Sequence, residues 1–271
     1  MTLSRNRIPA VRYFDTLPST NDYLREHWLE EEDMFTVCAA SQTKGRGRLR
    51  RAWVSPVGGL WFSVLFKDKT APPSHYQRLL GVSALLALEA LDTRVPTIGD
   101  CPGDGVGRRF FLKWPNDLVF LTGGTRFLKV AGILQENLVL SETKACIVGV
   151  GINVNNPIPE ELREKAGSLR EVLCSEIPID GLLQAILQGV AALRPDVNGV
   201  LRIWRHRSLL QRGSQVEIYS EAEGTTHRGE LAETPVDRIE ILCSNGERRS
   251  FFAGDVRLCE GNPAEGSLRR L

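Results

Sequence analysis

Lys44, Arg46, Arg48, Arg50 and Arg51 crowd around Gly45 and Gly47 directly after an apolar run. Anions are the natural ligand of such a segment, because glycines let backbone N–H groups approach an oxyanion and guanidinium forks bind two of its oxygens at once. Charge runs are also commonly solvated basic turns or nucleic-acid patches, and both readings stand for this segment taken alone. It is not a dinucleotide fingerprint, which needs Gly where Arg50 stands, and no G-x-x-x-x-G-K-[ST] phosphate loop occurs in the chain.

Three further segments could join it. Lys113-Trp114-Pro115-Asn116-Asp117 lies between apolar runs and reads either as a β-turn or as a loop offering Lys, Asn and Asp to a polyphosphate and its divalent cation. In the first reading Trp114 is plain core packing. Lys129 opens an apolar run, so it sits at an exposed strand end or pairs with an anion, and Gly132 inside that run signals close approach of a ligand or another backbone. Gly149, Gly151 and Asn153 interrupt a run at 148–154 where a merely structural strand would carry packing side chains.

The elements that must position these residues can be read from periodicity. Strands are expected at 11–14, 35–40, 60–66, 110–112, 118–121, 130–136 and 145–154, the third apolar on both faces. Ser19, with Asp22 three residues on, forms a capping-box pattern before a helix over 21–31. The most hydrophobic helix spans 76–91, and residues 96–109 read as a Gly/Pro/Asp-rich surface excursion. Helices follow at 179–193 and 197–210, with Pro195 ending the first and Asp196 capping the second. A mixed sheet with helices on one side accounts for this order, an α+β fold. From Gly213 short alternating strands at 215–219, 227–231, 238–243, 248–252 and 255–258, with an Asn245-Gly246 hairpin turn, suggest a small SH3-like β-barrel. The division is residues 1–211 and 212–271.

Composition bounds the alternatives. The 271 residues are 42% hydrophobic and 25% charged, which argues against disorder, and 34 Lys and Arg against 33 Asp and Glu give no overall pull toward nucleic acid or an anionic membrane. The six cysteines show no C-x-x-C and no His pairing, and no secretory h-region or long apolar span occurs. A reduced, cytoplasmic protein is expected, with neither DNA nor a membrane as partner.

Taken in order, Ser19-Thr20-Asn21, Gln42-Thr43-x-Gly45-Arg46-Gly47-Arg48, Lys113-Trp114-Pro115-Asn116-Asp117, Lys129-x-Ala131-Gly132-Ile133-Leu134 and Gly151-Ile152-Asn153 resemble the catalytic domain of biotin protein ligases. The resemblance covers residues 10–210, and the C-terminal segment matches that family's small barrel in texture and in Gly254-Asp255-Val256. With so little chain ahead of Val11, a form without the N-terminal DNA-binding domain of the repressor members is expected.

The resemblance implies an enzyme that activates biotin with MgATP to biotinyl-5′-AMP and passes the biotinyl group to a lysine of a biotin carboxyl carrier domain, that of acetyl-CoA carboxylase or a related carboxylase. It implies Arg46, Arg48 and Lys129 as the catalytic residues that offset charge on the phosphoryl oxygens. Biotin would be contacted by Ser19, Thr20, Asn21, Gln42, Gly45, Arg46, Arg48, Lys129 and Gly132. The nucleotide would be held by Arg48, Arg51, Trp53, Lys113, Asn116, Asp117, Lys129 and Asn153, with Mg²⁺ screening the departing pyrophosphate and no residue assigned as its ligand. Asp117 would also orient the incoming carrier lysine. Arg50 departs from the family's usual Gly; if that position demands φ > 0, the loop closes less tightly and the intermediate leaks. The rivals are a lipoate or other acyl-carrier ligase, which lacks the Gly-Arg-Gly-Arg loop, and a biotin-binding or nucleic-acid-binding protein without turnover. Homodimerisation through a sheet edge is left open.

Overall fold

The computed structural model describes residues 10–67, 71–92, 109–123, 126–220, 222–252 and 254–259. The apolar runs form strands β1 (Val11–Leu17), β2 (Thr36–Gln42), β3 (Leu60–Phe66), β4 (Phe110–Lys113), β5 (Asp117–Gly123), β6 (Arg126–Leu140) and β7 (Thr143–Ile152). They join one sheet in the order β1-β2-β3-β7-β6-β5-β4. Only β1 and β2 run parallel, which requires a crossover, and helix α1 (Thr20–His27) supplies it. The mixed α+β sheet is as expected.

The helices do not all lie on one side, as the sequence suggested. Leu60, Phe62, Val64 and Phe66 of β3 pack with Leu79, Leu80 and Leu85 of α2 (Pro73–Asp92), while Leu65, between Val64 and Phe66, packs on the opposite face with Leu24 and Trp28 at α1. A strand apolar on both faces needs cover on both, and each Leu or Phe so buried contributes about 1.5–3 kcal/mol. Helix α3 (Leu169–Leu173) is a single short turn, while α4 (Ile179–Leu193) and α5 (Val197–Arg207) complete the α2 side. Asp196 caps α5 as expected, accepting from the Gly199 amide at 2.8 Å.

Helix α1 ends at His27, short of the expected 31. The residues that would extend it include Glu30, Glu31, Glu32 and Asp33, acids that oppose the negative C-terminal end of a helix dipole. Its N-cap forms only half of the expected box: the Ser19 hydroxyl accepts from the Asp22 amide at 3.4 Å, but the Asp22 carboxylate is taken by arginines.

The C-terminal strands β8 (Gln215–Ser220), β9 (Thr225–Leu231), β10 (Ile239–Leu242), β11 (Arg248–Phe251) and β12 (Asp255–Leu258) form a separate antiparallel sheet in the order β11-β10-β9-β8-β12. Gly246 in the Asn245-Gly246 turn has φ +80°, the left-handed conformation this hairpin needs. The apolar core holds Val216, Ile218, Leu231, Ile241 and Val256, together with Leu210 and Trp114 from outside the barrel. Arg78 of α2 reaches Asp237 at 2.5 Å, and Trp204 of α5 donates to the Pro235 carbonyl at 3.3 Å, fastening barrel to helices.

The excursion expected over 96–109 lies outside the described residues save Arg109, which pairs with Asp92. Cys38, Cys146, Cys243 and Cys259 are free thiols, the first two buried and pushed up to about 12 by burial; the expectation of reduced cysteines fails at Cys174, which is disulfide-bonded. Among the described residues no helix is long and apolar enough to cross a membrane.

Candidate active site

Lys113, Asp117, Gly132 and Gly151 are partners in register across β4, β5, β6 and β7, a transverse row at one end of the sheet. Lys129 stands three residues from Gly132, an odd spacing that would place it on the opposite face of a regular strand. The β5–β6 pairing shifts here: Leu118 faces Ala131 and Val119 faces Lys129, leaving Val130 as the extra residue of a bulge. The bulge turns Lys129 onto the Gly132 side, where its Cε lies 3.3 Å from the position a Gly132 Cβ would take. Its ammonium then sits 2.7 Å from Asp117 Oδ1 and 5.0 Å from the centre of the Trp53 ring.

Trp53 covers this row. A Cβ on Gly132 would come 2.9 Å from its ring, and one on Gly151 would come 2.5 Å from its Nε1. The expected close approach at Gly132 is therefore made first by this indole. Trp53 Nε1 is buried without a hydrogen-bond partner among the described residues, a donor at the cavity that a ligand acceptor would satisfy.

The other end of the cavity is backed by a connected network of polar groups that ends at the Glu136 carboxylate. The Thr20 amide and hydroxyl donate to Gln42 Oε1 at 2.9 and 3.2 Å, and Gln42 Nε2 donates to Ser55 Oγ at 3.0 Å. Ser63 Oγ lies 2.7 Å from Thr20 Oγ1 and donates to Asn21 Oδ1 at 2.6 Å, and Asn21 Nδ2 donates to Glu136 Oε2 at 2.7 Å. Ser63, Ser55 and Glu136 were not among the expected site residues. The signal for Ser63 was a lone hydroxyl in the otherwise apolar Leu60–Phe66 strand.

The loop from Gly45 to Trp53 folds back on itself, with Gly47 N bonded to Arg51 O at 2.8 Å and Trp53 N to Gly45 O at 2.9 Å. At its tip Leu49 and Arg50 both have positive φ, +56° and +59°. Position 50 thus demands the left-handed region that Arg adopts at a cost of about 1–2 kcal/mol. Arg46, Arg48 and Arg51 line the cavity; Lys44 and Arg50 are exposed and do not. Arg51 meets Asp255 of β12 at 3.2 Å.

Arg46, expected at the phosphoryl oxygens, lines the cavity and makes ion pairs of its own. Its guanidinium is committed to Asp22 at 2.6 Å and Glu136 at 3.5 Å, and Arg25 engages the same two carboxylates. Burial raises the Asp22 pKa, but hydrogen bonds and charge from Arg46 and then Arg25 outweigh it and hold Asp22 below its ordinary value. Arg46 thus ties the loop to α1 and β6.

Asn116 is clamped to β6, its carbonyl accepting from Ile133 N and its Nδ2 donating to Ile133 O, both at 2.9 Å. Asn153 accepts from Asn156 Nδ2 at 3.2 Å. Lys113 beside them is lowered in pKa, by burial first, with Asp117 and Asp255 opposing and Lys129 and Arg257 adding to the effect. The wall at Ile158, Leu162 and Lys165 was not expected from the sequence.

These parts enclose one cavity of about 300 Å³. Arg46, Arg48, Arg51, Lys113, Lys129 and Lys165 face it against two carboxylates, Asp117 and Asp255, both already paired with cations. The cavity is therefore electropositive at one end, and at the other, where Arg46 is balanced by Asp22 and Glu136, it is lined by hydrogen-bonding groups. Among the described residues no group of His, Cys, Asp or Glu is arranged to hold a metal ion. The donor set fits a magnesium ion that arrives on a nucleotide's phosphates, with the protein supplying counter-charge.

Comparison with known proteins bears on this geometry. The biotin/lipoate A/B protein ligase family matches residues 13–153. The chain is 32% identical over 181 residues to the bifunctional ligase/repressor BirA of Bacillus subtilis, covering 65% of this chain and 50% of that protein. It is 31% identical over 161 residues to the biotin–protein ligase of Schizosaccharomyces pombe, 55% of this chain and 23% of that one. The chain thus spans half the length of the first relative and less of the second. The structure of the Aquifex aeolicus biotin protein ligase in complex with biotin and ATP superposes with a TM-score of 0.70 at 28% identity, covering 92% of this chain and 99% of that one.

Proposed function

The chain belongs to the biotin/lipoate A/B protein ligase family, and from that premise we propose that it is a biotin–protein ligase, with residues 1–211 as its catalytic part and 212–271 as the small barrel. The observation that carries this reading is the two-ended cavity: hydrogen-bonding neutral groups around Thr20 and Gln42 at one end, and cations with no free carboxylate at the other. Biotinyl-5′-AMP has the matching polarity, with a neutral ureido ring at one end and an anionic acyl phosphate joining the biotinyl chain to the adenosine at the other.

In the first step the biotin carboxylate attacks the α-phosphorus of ATP, a mixed acyl-phosphate anhydride forms, and the bond to pyrophosphate breaks. Both reactants are anions, so fixed cations lower the barrier by offsetting their repulsion and holding them in line. Arg48 and Lys129 are the groups for that work, and Arg46, which also lines the cavity, holds the loop through Asp22 and Glu136. Mg²⁺ bound to the nucleotide would screen the leaving pyrophosphate. Arg51, Trp53, Lys113, Asn116 and Asn153 hold the adenylate, and Ser19, Thr20, Asn21, Gln42, Gly45 and Gly132 shape the biotin end.

In the second step a carrier lysine amine attacks the acyl carbon, an amide forms and AMP leaves. The amine must lose its proton, and Asp117 is the carboxylate beside the reacting end, shared with Lys129 at 2.7 Å. The acceptor is a biotin carboxyl carrier domain, and a cytoplasmic setting suits a reaction that consumes ATP. Three of the loop's five cations face the cavity, which favours an enclosed anion over a nucleic-acid surface.

The test supplies purified protein with α-labelled ATP, Mg²⁺ and either biotin or lipoate. Adenylate formed with biotin and passed to a carrier lysine supports the reading. Adenylate formed only with lipoate replaces it with the acyl-carrier rival, and tight biotin binding without adenylate makes the protein a binder.

A further inference from the structure

Trp114 carries an unexplained double allegiance. It belongs by sequence to the Lys113–Asp117 turn between β4 and β5, and it lines the cavity, yet its side chain is 2% exposed inside the apolar core of the barrel with Val216, Ile239 and Val256. The turn it anchors is otherwise held from α2 and from the sheet. Gln77 Nε2 donates to the Pro115 carbonyl at 2.7 Å, Asn116 is bonded twice to Ile133, and Asp117 pairs with Lys129.

The barrel holds the facing wall too. In β12 Val256 points into the core that takes Trp114, and its neighbour Asp255 points out to Arg51 at 3.2 Å. One two-residue step of a strand, with its alternating faces, thus touches both sides of the cationic end. Among the described residues, the hydrogen bonds that join Thr20, Gln42, Ser55 and Ser63 at the other end involve no residue of the barrel.

We propose that Trp114 is a positioning residue through which the small barrel sets the nucleotide end of the cavity, leaving the biotin end independent of it. The inference rests on the reading of the cationic end as the adenylate site. Lys113, Asn116 and Asp117 hold their places because the indole between them is locked into a second core, so loosening the indole moves three ligand-facing groups together.

The experiment compares Trp114→Ala with Phe251→Ala, which empties an equally buried aromatic site of the same core that does not line the cavity. Trp114→Ala should raise the KM for ATP in adenylate formation about tenfold or more while biotin affinity without nucleotide stays within about twofold. Phe251→Ala should lower the melting temperature comparably and leave the KM for ATP within about twofold, and Trp114→Phe should restore most of the loss. Amide exchange over residues 113–117 should quicken in Trp114→Ala alone. Equal effects of the two alanine variants on KM, or no effect of Trp114→Ala, overturn the proposal. Where Trp114→Ala does not fold, Trp114→Leu makes the same comparison. If the wild type forms no adenylate, the proposed function fails; the exchange comparison, which needs no turnover, then decides the positioning role alone.

Discussion

The floor of the cavity and the loop over it are built by opposite means. On the floor, Gly132 and Gly151 face each other in fully paired central strands, and a bulge in the ladder aims Lys129. The loop from Gly45 to Trp53 has few backbone bonds of its own, two consecutive non-glycine residues at positive φ, and ion pairs at either side, Arg46 to Asp22 and Arg51 to Asp255. The Gly132 and Gly151 part of the floor is placed by backbone register, which side-chain changes barely move, whereas the Lys113–Asp117 turn at its edge also leans on Trp114. The loop is placed by charge and strain, which are small energies easily altered. Chemistry should therefore depend most on Lys129 of the floor, with Arg48 reaching in from the loop, and retention of the intermediate on the loop's tip.

Lys129→Ala tests the floor most severely. Removing one preorganised charge from a phosphoryl site costs about 10²- to 10³-fold in rate, so adenylate formation measured with labelled ATP should fall by that much, with the melting temperature little changed. Gly151→Ala should come next. Its methyl meets Trp53 Nε1 at 2.5 Å, so the indole must leave the floor. Overpacking of this kind costs about 1–3 kcal/mol, and both denaturant stability and adenylate affinity should drop accordingly.

Asp22→Asn probes the loop's inner fastening. The folded-state pKa of Asp22 is lowered, so its contribution to stability is full above the unfolded value of about 3.9 and disappears as pH falls through the lower folded value. Wild type should thus exceed the variant in stability at neutral pH, and denaturation curves of the two should converge in acid below that window. A gap that persists unchanged at the lowest pH would mean that the carboxylate's charge is not what holds Arg46. Arg50→Gly should have the smallest effect and the opposite sign. Relief of about 1 kcal/mol at φ +59° should slow biotinyl-AMP release by about fivefold, followed by trapping the free adenylate. Wild type releasing more slowly than the variant would refute the strained-tip account.

The same division explains what the sequence revealed. Segments that carry their own signal were legible: the strand runs, the Asp196 cap, the Asn245-Gly246 hairpin and the motifs around Gly45, Lys113 and Lys129 that border the cavity, though not its wall at Ile158, Leu162 and Lys165. Contacts between distant segments were not. Asp22 looked like the second half of a capping box because its local spacing fits, but Arg46 outcompetes the cap. Ser63 passed as one residue of an apolar strand until Thr20 and Asn21 were brought against it. Helix α1 was put on the wrong side because a strand apolar on both faces says that two covers exist, without saying which helix provides the second. Trp114 could be read as core, but which core depends on residues 100 and more positions further along. The bulge at Val130 leaves no mark in composition, and without it the Lys129 spacing points the wrong way.

The central claim is that one continuous cavity holds both halves of an acyl adenylate. Titration calorimetry with a non-hydrolysable analogue of biotinyl-5′-AMP, beside biotin and AMP separately, tests it most directly. Two ligands joined across a preformed site gain effective concentration, so the analogue should bind about a hundredfold or more tighter than biotin alone, with Lys129→Ala erasing most of that gain. An analogue that binds no tighter than biotin would contradict the account, since the cationic end would then not be the other half of the same site.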